Sequence, residues 1–263
     1  MKKPNVCILK TDGTNCDMEM SNAFKQAGGN TSIVHVNELR NGLQNLADYE
    51  ILAIPGGFSY GDDIASGKVL ANELNSYLHN QISDFITAKK PILGICNGFQ
   101  VLVRMGLLPF GLSGTQVASL IDNESGHFEC RWVELMPQRS VCKFFQADDF
   151  AFQSIAMQVA HGEGRFYANE EVIEQIEKNK QVIFRYSSIL GTKNTKYPDN
   201  PNGSINDIAG ICDPTGLIVG MMPHPERSIC SFHPNRDKAD TSRLYAMKIF
   251  SNIIEYSKKV PKL

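Results

Sequence analysis

The sequence predicts an α/β fold with a central, mostly parallel sheet flanked by helices and an added antiparallel, strand-rich portion. Three observations carry this reading. In the first half, short apolar runs alternate with amphipathic ones, the pattern of βαβ units. In the second half, five further strand-like runs follow with only two helical stretches. The composition is that of a packed globular chain: 263 residues, 42% hydrophobic and 21% charged.

Asn5 to Leu9 reads as the first strand, and Met18 to Ala27 as a helix that stops at Gly28-Gly29. Thr31 to Val36 is β-branched and extended, and Glu50 to Ile54 is a strand ended by Pro55-Gly56-Gly57. Apolar residues at 70, 74, 77, 78, 82, 85 and 86 predict one long helix from Val69 to Ala88. Pro91 opens the strand Ile92 to Ile95, and Phe99 to Met105 is helical up to Gly106. The later strands are Glu129 to Met136, Ala156 to Ala160, Val182 to Ser187, Ile208 to Cys212 and Leu217 to Met221. Helices are expected at Glu170 to Asn179 and Ser242 to Ser257, with a long Pro/Asn/Gly-rich loop from Lys193 to Ser204. No composition shift marks a linker, so one domain over 1–263 is expected. In parallel sheets ligands sit at the carboxyl ends of strands, which directs attention to the loops after Ile54 and Ile95.

Charge and cysteine usage narrow the function classes. Twenty-six basic and 28 acidic residues give a net charge of −2, which offers no footprint for nucleic acid or an anionic membrane. The seven cysteines, at 7, 16, 96, 130, 142, 212 and 230, form no C-x-x-C pair. Their odd, dispersed count argues against a secreted disulfide scaffold and for reduced, mostly buried thiols. Only Val6 to Leu9 is apolar near the N-terminus, too short for a signal peptide, and no stretch approaches a membrane span. A soluble, cytoplasmic protein is expected.

One cysteine differs from the rest. In Pro91-Ile92-Leu93-Gly94-Ile95-Cys96-Asn97-Gly98-Phe99-Gln100 an apolar strand runs through Gly-x-Cys-x-Gly into a helix. This is the layout of a nucleophile elbow with cysteine in place of serine. The glycines remove side chains that would clash in the turn, and the helix N-terminus favours a thiolate at Cys96. The Asn97 N–H falls toward a developing oxyanion. The alternative is a buried cysteine between packing glycines.

A nucleophilic cysteine needs a base. His224 stands in Met222-Pro223-His224-Pro225-Glu226-Arg227, directly after an apolar strand. Pro225 biases His224 to extended geometry, where residues two apart face the same way, so Glu226 can orient the imidazole. A solvated His-Pro turn and a metal cluster of His224, Glu226 and His233 are the competing readings. Adjacent glycines at 56 and 57 expose backbone N–H groups that can complete an oxyanion hole or cradle a phosphate. No Walker A loop occurs anywhere. His161-Gly162-Glu163-Gly164 is a second polar glycine-rich loop, or a plain turn.

Together these residues resemble class I glutamine amidotransferases. The match is closer to the glutaminase subunits of phosphoribosylformylglycinamidine synthases. Gly56 to Asp62, Cys96 to Gln100, Ala160 to Gly164 and Met221 to Arg227 carry it, with Gly13-Thr14-Asn15-Cys16-Asp17 and Asn202-Gly203-Ser204 as further matches. Thr11-Asp12 departs from the apolar-Pro pair usual before Gly13. The chain is longer than the compact bacterial subunits, and Tyr197 to Ser204 is more similar to the fused, single-chain synthases.

The resemblance implies a flavodoxin-like fold and a Cys96–His224–Glu226 triad. It implies an oxyanion hole at Gly57 and Asn97, with Gly56, Gln100, His161, Gly162 and Glu163 around glutamine. It implies no metal and no cofactor on this chain, with ATP and Mg on a synthetase partner and room for a small third subunit. A stand-alone glutaminase or γ-glutamyl hydrolase is the alternative, told apart by full turnover without a partner. A catalytically dead binding subunit is told apart by failure to form a thioester with a glutamine-like affinity label.

Overall fold

The computed structural model describes residues 3–112, 114–145, 147–150, 153–188, 195–230 and 236–259, without the side chains of 150, 230 and 236–239. Its order begins β1 (Asn5–Lys10), α1 (Asp17–Gln26), β2 (Asn30–His35), α2 (Val36–Arg40) and β3 (Ile51–Ile54). Then come α3 (Lys68–Tyr77), α4 (His79–Thr87), β4 (Ile92–Ile95), α5 (Asn97–Arg104), β5 (Ala118–Ile121) and β6 (Glu129–Pro137). The chain continues with β7 (Ile155–His161), β8 (Arg165–Ala168), α6 (Glu170–Lys178), β9 (Val182–Ser187) and β10 (Ile208–Cys212). It closes with β11 (Ile218–Met221), α7 (Pro225–Cys230) and α8 (Arg236–Ser257).

Nine strands form one sheet in the order β2-β1-β3-β4-β11-β10-β9-β6-β7. The first five are parallel, and the strands from β10 onward join antiparallel. Counting only the parallel strands, the order is 2-1-3-4-5, the flavodoxin-like winding. The expected antiparallel portion is thus an extension of the same sheet. β5 and β8 form a separate two-stranded ribbon.

The parallel strands are apolar without alternation because helices cover both faces. Val6, Cys7, Ile8, Ile51, Ile92, Leu93, Ile218 and Val219 are all buried. The carboxyl ends of β1, β3, β4 and β11 lead into the 11–16 loop, Gly56-Gly57, Cys96 and His224, so the sheet itself gathers these residues on one edge.

Missing side chains let α5 lie close over that edge. A Cβ on Gly98 would stand 1.9 Å from the Ile54 carbonyl oxygen, and one on Gly220 would stand 2.0 Å from the Phe99 ring. Real Cβ atoms do not approach so closely. The first turn of α5 therefore sits against the end of β3 only with glycine at 98.

Four local expectations are corrected. The helix expected over Val69 to Ala88 is two helices, α3 and α4, meeting at Leu78 (φ −118°, ψ 8°). Leu74, Leu78, Ile82 and Phe85 still form one buried face, which is why apolar spacing gave no sign of the break. Val36 leaves the strand and begins α2, whose N-cap His35 makes a capping box with Glu38. β5 and β8 are unexpected strands, since four residues are too few for a period to register. α7 begins at Pro225, where proline at the first helical position is a start signal that competes with the extended geometry expected there. Residues 193 and 194 of the expected loop lie outside the described residues. Among the described residues, no helix is long and apolar enough to cross a membrane.

Candidate active site

Cys96 sits between β4 and α5 with φ 51° and ψ −105°. A positive φ on a residue with a Cβ is strained and persists only where packing imposes it. Gly98 against Ile54 imposes it here. Asn97 is the first residue of α5, so its N–H has no intrahelical acceptor. The Cys96 thiol is buried and points toward the Ala160 carbonyl at 3.5 Å.

His224 and Glu226 are both buried, and the imidazole Nδ1 lies 2.6 Å from Glu226 Oε1. The contact expected from strand alternation is made by other means. His224 is extended and bridges to Gln158, but Glu226 already belongs to α7 and its carboxylate turns back to the ring. His224 Nε2 and Glu226 Oε2 are buried without hydrogen-bond partners. Burial pulls His224 down, but the Glu226 charge and then Cys96 outweigh it and hold the imidazole well above its usual value.

Gly56 explains how three elements converge. A Cβ there would stand 2.7 Å from His224 Cε1, 3.3 Å from Cys16 Sγ and 3.4 Å from Cys96 Cβ. Gly57, at φ 149°, is braced from behind, since a Cβ would fall 2.7 Å from the Gly13 carbonyl.

The polar loops close around this centre. Gln100 Nε2 donates to the Glu163 carbonyl at 2.6 Å. The Glu163 carboxylate accepts from Ser66 Oγ at 2.9 Å and lies 3.4 Å from Arg104 Nη2. Asp62 accepts from Ser66, the Gly67 N–H and the Asn97 side chain. Burial pushes the Asp62 carboxyl up, these bonds pull against it, and the Glu163 charge adds to the rise. Asn97 Oδ1 in turn accepts from the Ser59 N–H at 3.3 Å. The residue behind Cys96 is thus fixed by the loop that follows Gly57.

His161 packs at the same centre. Its Nδ1 lies 3.0 Å from Asn123 Oδ1, and Asn123 also holds the His161 carbonyl and the Gly164 N–H. Burial, reinforced by neighbouring His224, pushes His161 down to about 3. In the unfolded chain the same group takes its proton near 6.5. The unfolded state therefore binds the extra proton between those values, and stability falls as pH drops through that window. By pH 3 the loss is about 4 kcal/mol. His161→Gln is expected to flatten the stability–pH curve between pH 6.5 and 3 in urea titrations. An unchanged slope counts against a neutral, buried His161.

The structure brings together Cys96, His224, Glu226, Gly56, Gly57, Asn97, Gln100, His161, Gly162 and Glu163. Sequence reasoning missed Asp62, Ser66, Asn123 and Arg227 as parts of the site. Asp62 closes the glycine motif that starts at Gly56, whereas Asn123 lies in a turn with no signature. Cys16 lies in the Gly13–Asp17 motif, and its sulfur lies with ligand atoms of His224 and Glu226 within 4.8 Å of one another. Arg227 Nη2 stands 3.1 Å from that sulfur and opposes a cation there. His233, the third member of the competing metal reading, lies outside the described residues.

A flavodoxin-like sheet that presents a strained cysteine elbow beside a buried His–Glu pair is the architecture of class I glutamine amidotransferases. The sequence profile of the CobB/CobQ-like glutamine amidotransferase domain matches residues 3–257, and the chain belongs to that family. A phosphoribosylformylglycinamidine synthase subunit PurQ of Methanococcus maripaludis is 42% identical, over 97% of this chain and 98% of its own length. The subunit of the same name from Dehalococcoides mccartyi is 42% identical over 99% of this chain and 100% of its own. In the solved PurLQS structure from Thermotoga maritima, one chain superposes with a TM-score of 0.73 at 31% identity. That match covers 97% of this chain and 99% of the other. A second Thermotoga maritima glutamine amidotransferase, at 16% identity and TM-score 0.57, shares the fold.

Proposed function

We propose that this chain is the glutaminase subunit of a phosphoribosylformylglycinamidine synthase. It hydrolyses glutamine and passes ammonia to a synthetase subunit. That partner converts formylglycinamide ribonucleotide to formylglycinamidine ribonucleotide with ATP, a step of de novo purine biosynthesis. The observation that carries this reading is the end-to-end match to subunits of that name, with the cysteine elbow and the His–Glu pair in place.

In the proposed mechanism, the Cys96 thiolate attacks the side-chain amide carbon of glutamine. The tetrahedral oxyanion accepts bonds from the Gly57 and Asn97 N–H groups, each such donor worth about 3 kcal/mol of barrier. His224 gives its proton to the departing nitrogen, which leaves as ammonia, and a γ-glutamyl thioester remains. His224 then takes a proton from water, whose oxygen attacks the thioester. Glutamate departs and the Cys96 thiolate is restored beside the reprotonated His224. Glu226 holds the imidazole tautomer, and Gln100 with the His161–Glu163 loop holds the α-amino and α-carboxylate groups of glutamine.

ATP and Mg belong to the synthetase in this reading, a division supported by the lack of any Walker A loop in the sequence. The six described cysteines carry free thiols, which supports a cytoplasmic setting. Co-purification with a synthetase, followed by glutaminase assays with and without it, tests the assignment. Expected are a stable complex and glutamine-dependent amidation of formylglycinamide ribonucleotide. Full glutamine turnover with no synthetase bound marks a stand-alone hydrolase instead.

A further inference from the structure

Cys16 is a fully buried thiol that the proposed mechanism leaves unused, although it lies at the centre of the site. It occupies the N-cap position of α1 but makes no side-chain cap. Its Sγ donates to Asn15 Oδ1 at 3.2 Å and accepts from Arg227 Nη2 at 3.1 Å. Its backbone N–H donates to the Gly56 carbonyl at 3.2 Å, and the Phe58 N–H donates to the Gly13 carbonyl at 2.9 Å. One short loop therefore holds the Gly56-Gly57 turn with its backbone and the Arg227 guanidinium with a sulfur.

Arg227 follows Glu226 directly and interacts with the charges of Glu226 and Cys96 as well as with Cys16. The Glu226 carboxylate is completely buried, and one of its oxygens has no hydrogen-bond partner. A buried carboxylate is costly without positive charge close by, which the His224 imidazolium and the nearby Arg227 guanidinium supply. We infer that Arg227, anchored by the Cys16 thiol, is a positioning residue. Its positive charge opposes uptake of a further proton by the Cys96–His224–Glu226 centre, in which glutamine hydrolysis needs a thiolate beside a protonated His224. The inference rests on the functional reading above.

The other titratable groups around the pair are identifiable. Cys96 precedes α5 as its N-cap, β7 ends in His161, and α1 opens on Asp17, which is ion-paired with Lys10 at 2.7 Å. On the described part of α8, Asp240 and Arg243 face solvent and Lys248 pairs with Asp149. Removing the Arg227 charge makes uptake of that further proton by the centre easier, so its midpoint moves to higher pH.

The test uses the assembled complex and two readouts. One is the acid limb of kcat/KM for glutamine hydrolysis. The other is the pH dependence of Cys96 alkylation by iodoacetamide, followed on its own peptide by mass spectrometry, which needs no turnover. Arg227→Met is expected to raise both midpoints by about one pH unit, a tenfold loss of activity below the midpoint. Cys16→Ala moves them less and in the same direction, while Arg227→Lys and Cys16→Ser stay close to the parent protein. If Arg227→Met does not fold, Arg227→Gln reads the same quantity. Folded variants with lowered activity and an unmoved alkylation midpoint overturn the proposal, because packing alone then explains the loss. A shifted alkylation midpoint in a protein that never hydrolyses glutamine leaves the charge role standing and removes the functional reading.

Discussion

Cys96→Ala abolishes glutamine-dependent amidation by the complex and leaves ammonia-dependent amidation intact. The separation follows from where each half of the reaction is placed. Without the sulfur no thioester forms, and the loss in glutaminase kcat is on the order of 10⁴-fold or more. Free ammonia enters the synthetase reaction after that step, so its use does not depend on residue 96. The substitution is also structurally mild. Alanine keeps the Cβ that already tolerates φ 51°, and the Gly98–Ile54 contact that imposes this geometry is untouched. The measurement is initial rate with glutamine and with ammonium chloride, on complex of equal thermal stability. Survival of both activities would show that Cys96 is not the nucleophile. Loss of both would place residue 96 in the interface or the synthetase's own chemistry.

How much of this was legible in the sequence depends on the range of each interaction. The elbow at Cys96 was readable because everything that makes it is local: an apolar strand, two glycines and a helix within ten residues. The carboxyl-edge loops followed from strand alternation, since parallel winding puts β1, β3, β4 and β11 ends on one edge. The His224–Glu226 contact was expected for a reason that does not hold. Alternation along a strand would align the two side chains, but Pro225 starts a helix and the carboxylate reaches the ring from its first turn. Proline carries two local messages there, extended geometry before it and a helix start at it, and the second decides where Glu226 lies. The Cys16–Arg227 bond was out of reach because its partners are 211 residues apart and neither residue type signals the other. Asn123 was hidden for a similar reason. Its value lies in bonds to His161 and Gly164, nearly 40 residues away, made by a side chain ordinary in turns.

Glu226→Gln is the change that separates charge from shape at the same centre. The amide is nearly isosteric with the carboxylate, and the 2.6 Å contact to His224 Nδ1 can be kept. What disappears is the negative charge that holds His224 well above its usual value. The amide can also present an N–H to Nδ1, which puts the ring proton on Nε2 and leaves no lone pair to accept the proton of water in deacylation. In the proposed mechanism kcat then falls on the order of 10³- to 10⁴-fold, with KM little changed, as for loss of the acid in other triads. Stability moves in a separable way. A raised His224 contributes stability that is present below its unfolded value near 6.5 and is lost as pH climbs through the folded value. In Glu226→Gln that alkaline loss is expected to vanish, while the desolvation cost of a buried carboxylate is removed. Thermal unfolding from pH 6 to pH 10, measured beside kcat, reads both. A variant within tenfold of the parent's kcat would remove Glu226 from the triad. A variant that is inactive but retains the alkaline loss of stability would mean that another group, not Glu226, sets the charge on His224.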